Sequence, residues 1–211
     1  MTRRFASLMF SPVVKALQSR YGSRRQYARL EQSSVSPDQL GPEESAFIAE
    51  RDSFYMATVG QGGWPYVQHR GGPKGFLKVI DERTIAFADF SGNRQFVSAG
   101  NLTTDNRVAL FLMDYPAQTR LKILGYTDIF EGEQAAEWIK RIRDPAYKAV
   151  IERVFVIRIE AFDWNCPQHI TPRFTAEQIQ EAVAPMERRL VELEQQNKAL
   201  QVALDDLNKT R

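Results

Sequence analysis

Seven short strand-like stretches, closely punctuated by turns, constrain this chain more than any other feature. Residues 54–59, 64–70, 75–80, 84–89, 107–113, 121–130 and 153–159 are rich in β-branched and aromatic side chains. The Gln61-Gly62-Gly63 break and the Asp81-Glu82 break are tight, as in hairpins. A parallel sheet needs crossovers of about a dozen residues or more, so this spacing favours a small closed or nearly closed antiparallel barrel. Periodicity does not separate one kind of small barrel from another. The expected fold is mainly β with added helices: a short helix through Phe47 and Ile48, one over 93–102, and helical material over 133–152 whose second piece opens at Pro145.

The two ends differ from the middle, and three segments are expected: 1–42, 43–174 and 175–211. Residues 1–30 carry Arg3, Arg4, Lys15, Arg20, Arg24, Arg25 and Arg29 without one acidic residue. Such an arm suits an anionic surface, a transit peptide or, more simply, an amphipathic helix on the domain or on a partner subunit, because Val13, Val14, Leu17 and Tyr21 fall at helical spacing. Ser33, Ser34, Val35, Pro37, Gly41 and Pro42 mark a polar connector. At the other end, Val183, Leu190, Asn197 and Leu204 alternate with Met186, Leu193, Leu200 and Leu207 as the a and d positions of a heptad repeat. This is a coiled-coil pattern, with a long helix expected from about Pro185 and a separate Thr-capped helix over 175–183. Asn197 at an a position suits a parallel two-stranded seam; the alternative is a lone amphipathic helix laid on the barrel.

Chemistry concentrates in Ala88-Asp89-Phe90-Ser91-Gly92-Asn93-Arg94-Gln95-Phe96, which follows a strand and opens an expected helix. Arg94 beside free backbone N–H groups at a helix start offers an anion a bidentate fork and a favourable dipole. The other reading is a capped turn with Arg94 in solvent. Before it stand Trp64-Pro65-Tyr66-Val67-Gln68-His69-Arg70-Gly71-Gly72-Pro73-Lys74-Gly75-Phe76-Leu77, after it Arg120-Leu121-Lys122-Ile123, and later Asp163-Trp164-Asn165-Cys166-Pro167-Gln168-His169.

In this order, from about 51 to 173, these stretches resemble the FMN-binding split-barrel family that includes pyridoxamine 5'-phosphate oxidase, and look closest to its flavin-nucleotide-binding relatives. The resemblance implies a six-stranded antiparallel split β-barrel, a homodimer with flavin at the subunit interface, and FMN as cofactor. It implies a phosphate site at Asn93, Arg94 and Gln95 with Asp89 and Phe90 beside them, and cations from Lys74 or Arg70 where the oxidase reads Ser-Arg-Lys and this chain reads Asn93-Arg94-Gln95. Gly75 would admit backbone to the ligand, Phe76 and Leu77 would contact the ring, and Lys122 would approach its pyrimidine edge, where a cation favours reduced flavin. Trp164 and Gln168 would approach flavin and substrate, and His169 is the candidate proton donor or acceptor, with a structural histidine as the alternative. A Cys166–His169 thiolate pair is rejected, because Pro167 stiffens the turn and lone cysteines more often fill cores.

With 43% hydrophobic residues the chain can bury a core, and no apolar run approaches the roughly 20 residues of a membrane helix. One cysteine and two histidines cannot build a Cys/His zinc cage. No nucleic-acid-reading motif and no secretory signal stands out, so a cytoplasmic flavoprotein without membrane or nucleic-acid partners is expected. The function that follows is two-electron oxidation or reduction of a small-molecule substrate, with NAD(P)H as a possible donor. Pyridoxamine or pyridoxine phosphate oxidation proper, and a flavin-binding or flavin-sensing module without turnover, stand as alternatives.

Overall fold

A computed structural model describes residues 2–31, 36–164 and 167–209. The connector residues Ser33, Ser34 and Val35, and Asn165 and Cys166 of the late motif, lie outside the described residues. Two compact units form, Met1–Ile170 and Thr171–Arg211.

The first unit is built on a single antiparallel sheet of strands β1 (Ser53–Val59), β2 (Pro65–Gly71), β3 (Lys78–Asp81), β4 (Thr84–Phe90), β5 (Arg107–Asp114), β6 (Thr119–Glu131) and β7 (Ile151–Trp164), in the order β2-β1-β5-β6-β7-β4-β3. The sheet therefore has seven strands where the resemblance implied six, with β2 at one edge and the four-residue β3, paired with β4, at the other. Strand β7, expected over 153–159, is 14 residues long. It pairs with both β4 and β6 along its length, and this pairing overrides the helix expected to reach residue 152. Helix α6 accordingly stops at Ile142, and the Ser91 N–H donates to the Val150 carbonyl at 2.9 Å.

One face of the sheet supplies the core. Phe54 and Met56 of β1, Leu110 and Leu112 of β5, Leu121 and Ile123 of β6 and Phe155 of β7 are buried together with Phe76, Leu77 and Phe87. Phe87 stacks on Phe155 at 4.9 Å and meets Phe54 edge-on at 5.1 Å. The opposite face of β1, β2, β5 and β6 carries Tyr55, Val59, Val67 and Tyr126, which are between 38% and 61% exposed. A row across the strands runs His69, Tyr55, Phe111, Lys122 and Asp163.

The pairing of β6 with β7 shifts register at Leu124/Gly125, and Gly125 is the reason the strands can approach there. A Cβ on Gly125 would lie 2.5 Å from the Arg158 carbonyl oxygen and 2.8 Å from Ile157 Cγ2. Gly125→Ala should therefore lower stability by about 1–3 kcal/mol, read as a shift of the urea midpoint at unchanged slope.

Helices cap this sheet. α1 (Arg3–Met9) buries Phe5 and Ala6, with Arg4 paired to Glu160 and Thr2 Oγ1 donating to the Phe162 carbonyl at 2.8 Å. α2 (Pro12–Arg20) and α3 (Arg24–Ala28) follow, linked by Glu31, which pairs with both Lys15 and Arg24. The arm docks on its own domain through α1, whereas Val13 and Leu17 of α2 and Tyr21 at its C-terminal cap, the stripe that suggested docking, remain exposed. α4 (Pro42–Ala49) starts with proline at its first position, and Glu44 accepts from the Gly41 N–H at 2.9 Å. α5 (Val97–Leu102) and α6 (Gly132–Ile142) complete the unit.

The second unit is one helix, α7 (Ala176–Lys209), of 34 residues. The break expected at Pro185 does not occur, and the proline sits inside the helix. The Thr cap does form. Thr175 Oγ1 accepts from the Gln178 N–H at 3.2 Å, and Gln178 Oε1 accepts from the Thr175 N–H at 2.9 Å, a reciprocal capping box. No helix among the described residues is long and apolar enough to cross a membrane.

Candidate functional site

Where β4 ends, the chain leaves the sheet beside β2 and β7 and encloses a cavity of about 180 Å³. Gln68 and Arg70 of β2 pair with the core residues Met56 and Phe54 of β1 and so lie on the core-facing side of the sheet, where both line the cavity. Asp89 and Phe90 come from the end of β4, Arg153 from β7, and Asn93, Arg94, Gln95 and Phe96 from the loop before α5. Ser98, fully packed at the start of α5, donates its hydroxyl to Gln68 Oε1 at 2.8 Å and fixes the helix against β2.

The electrostatics are unusual for so buried a place. Arg70 and Arg153 have side chains only 11% and 9% exposed, and Asp89 stands between them. Arg70 Nη1 donates to Asp89 Oδ1, and Arg153 Nε lies 3.2 Å from Asp89 Oδ2. The Arg70 guanidinium is 5.1 Å from the centre of the Phe155 ring, and that of Arg153 is 4.7 Å from Phe96. Burial pulls Arg70 below its ordinary range in spite of Asp89, and burial pushes the Asp89 carboxyl up against the pull of Arg70 and Arg153. Both shifts mean that the contacts within the cluster do not repay its desolvation. The Nε of Arg70 is buried and forms no hydrogen bond among the described residues, whereas that of Arg153 faces Asp89 Oδ2 without a well-directed hydrogen bond. Arg94 completes the wall at the surface, 68% exposed and only loosely paired with Glu152 at 3.6 Å.

The cavity's volume is below the roughly 300–1,000 Å³ of pockets that enclose a whole small molecule. Its donors suit the anionic end of a ligand. A second hollow of about 150 Å³ continues from it past Arg70, Asp89 and Phe90 to His69, Phe76 and Phe87.

Of the residues singled out in the sequence, Arg70, Asp89, Phe90, Asn93, Arg94 and Gln95 line the cavity, and Phe76 lines its continuation. The helix expected at 93 starts only at Val97, so Asn93 and Arg94 lie in the loop before it. Arg94 and Phe96 both take left-handed backbone angles, φ 56° and 55°, which interrupts the helix there. Lys74 is absent from the lining and pairs with Glu50 instead. Gly75 does adopt φ 73°, but the backbone it approaches is Ala49, whose carbonyl oxygen would be 2.9 Å from a Cβ. Leu77 is core.

Lys122 pairs with Asp163 on the opposite sheet face, its ammonium 4.9 Å from the Phe5 ring centre. Trp164 donates through Nε1 to Glu44 at 2.8 Å and packs edge-on against Phe47. Gln168 and His169 are exposed in a turn, His169 with φ 65°. These four do not line the cavity in the same chain.

Gln68, Ser98, Ala99, Glu152 and Arg153 line the cavity without having been singled out as site residues in the sequence.

Residues 40–165 match the sequence profile described as pyridoxamine 5'-phosphate oxidase. The chain belongs to that family. Membership supports a flavin-binding, redox-type function. No curated protein matches the chain. Among solved structures, a putative pyridoxamine 5'-phosphate oxidase from Lactobacillus delbrueckii is similar at 21% identity and a TM-score of 0.46, over 61% of this chain and 97% of that one. An FMN-binding protein from Syntrophomonas wolfei is similar at 15% identity and a TM-score of 0.43, over 73% and 97%. An F420 reductase is similar at 21% identity and a TM-score of 0.42, over 58% and 98%.

Proposed function

We propose that this chain is a cytoplasmic, homodimeric FMN-binding flavoprotein that oxidises or reduces a small molecule by two electrons. The observation that carries this reading is the pair of buried guanidinium groups, Arg70 and Arg153, held on either side of Asp89 on the wall of a cavity, with the Arg70 Nε donor unanswered among the described residues. A phosphate monoester answers them, with Arg94 closing from the loop. Arg153 supplies the cation that Gln95 lacks relative to the oxidase, a part that the sequence assigns to Lys74 or Arg70. When bound, FMN supplies the redox chemistry. The chain's own residues hold its anionic end, present Gln68 and Ser98 as neutral polar partners for the ribityl chain, and direct the ring out along Phe76 and Phe87.

Residues of the opposite sheet face would hold the ring of a bound FMN at a subunit interface. The exposed apolar face of Tyr55, Val59, Val67 and Tyr126 supports this, since such a face marks an association surface. Lys122 lies on that face, and from there it, with the exposed Gln168 and His169, serves the flavin of the other subunit, while Trp164 packs on the core side of the same strand. α7, with its heptad stripe, belongs to the same assembly.

The protein as purified should be yellow, and denaturation should release a chromophore with the mass of FMN. Under anaerobic conditions NADPH or NADH should bleach it and air should restore it. Protein that is colourless and takes up no added FMN overturns the flavin reading; protein that binds FMN but is reduced by no donor or substrate overturns the enzyme reading alone.

A further inference from the structure

α7 carries an exposed apolar stripe. Met186 is 72% exposed, Leu190 58%, Leu200 70% and Leu204 59%. Because the helix runs unbroken from Ala176, the stripe begins four residues earlier than the sequence pattern alone indicated, with Ile179 at d, and spans about four heptads. Pro185 falls at a c position, away from the stripe, where a missing N–H faces water.

We infer that α7 is covered by α7 of a second copy of this chain, parallel and in register. Two features choose this occupant over any other apolar helix. Asn197 stands at an a position, where in a parallel pair it meets its own copy and the two amides satisfy one another. The g-to-e' contacts of that alignment bring Arg189 to the partner's Glu194 and Gln196 to the partner's Gln201, and they bring no like charges together. The antiparallel alignment of equal overlap sets Asn197 against the partner's Met186 and Glu187 against the partner's Glu194, an unpaired amide and an acid–acid contact. Arg189 now pairs with Glu192 one turn along at 2.9 Å, with both side chains 60% exposed, so it is free to exchange that weak contact for the interhelical one. The pairing builds on the homodimer proposed above and is independent of its flavin.

Disulfide capture in the full chain tests it. In a Cys166→Ser background, Leu193→Cys places a thiol at d, and Arg188→Cys places one at f on the outer face. On mild oxidation Leu193→Cys should link into a covalent dimer and Arg188→Cys should not. If Leu193→Cys links no faster than Arg188→Cys, the parallel seam is wrong.

A charge exchange supplies the second readout. Arg189→Glu and Glu194→Arg should each weaken association of α7 about fivefold, and the double variant should restore it. Residues five apart on one helix do not meet, so restoration reports a contact between chains. Additive losses overturn the register. Flavin content, read by absorbance in the same samples, should be unchanged throughout, so loss of the seam and failure of the flavin reading are distinguishable.

Discussion

Replacing Arg94 with alanine is expected to weaken FMN binding by about 10- to 100-fold, the worth of one or two charge-assisted hydrogen bonds, while leaving the folded protein as stable as before. The asymmetry follows from where Arg94 sits. Its side chain is 68% exposed and its contact with Glu152 is long, so its loss costs the apoprotein within about 0.5 kcal/mol. What is lost is the one cation able to close over a ligand after it enters, because Arg70 and Arg153 are packed against Phe155 and Phe96. Quenching of FMN fluorescence gives the affinity and a thermal melt of the apoprotein gives the stability. Unaltered affinity would remove Arg94 from the site; a large drop in melting temperature would mean that it is structural.

The strands were legible because each alternates or concentrates β-branched and aromatic residues and each ends at a turn signal. What the sequence could not reveal is where tertiary pairing overrides local preference. Residues 146–150 read as helix formers, yet the continuation of β7 along β4 and β6 takes the chain from Ile151 directly into the sheet. The start of α5 was misplaced for a related reason. Asn93 and Arg94 look like a helix N-terminus, but Arg94 and Phe96 adopt left-handed angles that put both residues in a loop.

Half of the proposed phosphate site was visible as a motif, since Asp89, Phe90, Asn93, Arg94 and Gln95 are contiguous or nearly so. Arg153 was invisible because nothing local distinguishes an arginine that pairs outward from one that the β4–β7 register turns toward Asp89. Lys74 illustrates the converse. Its spacing before Gly75 suits a ligand cation, and the fold gives it Glu50.

The largest loss of stability is expected from Arg153→Leu. Arg153 is 8% exposed and touches three carboxylates, with Asp89 at 3.2 Å and Glu131 and Glu152 each at 3.3 Å. Removing it leaves Asp89 buried with Arg70 alone, and breaking a buried ionic group in this way costs about 3–5 kcal/mol. The effect should depend on pH with a definite sign. Burial already holds the Asp89 carboxyl above its unfolded value, and the loss of Arg153, one of the charges that pulls it down, raises it further. A carboxyl whose folded value exceeds its unfolded one adds stability at low pH that is lost as pH rises through the folded value. The variant's deficit should therefore be greatest at neutral pH and shrink on acidification, as denaturant midpoints taken across that range would record. A deficit independent of pH would mean that Arg153 acts by filling space. In that case the leucine variant should also preserve FMN binding, whereas a phosphate ligand of the kind proposed here loses its second buried donor and should be released at both ends of the range.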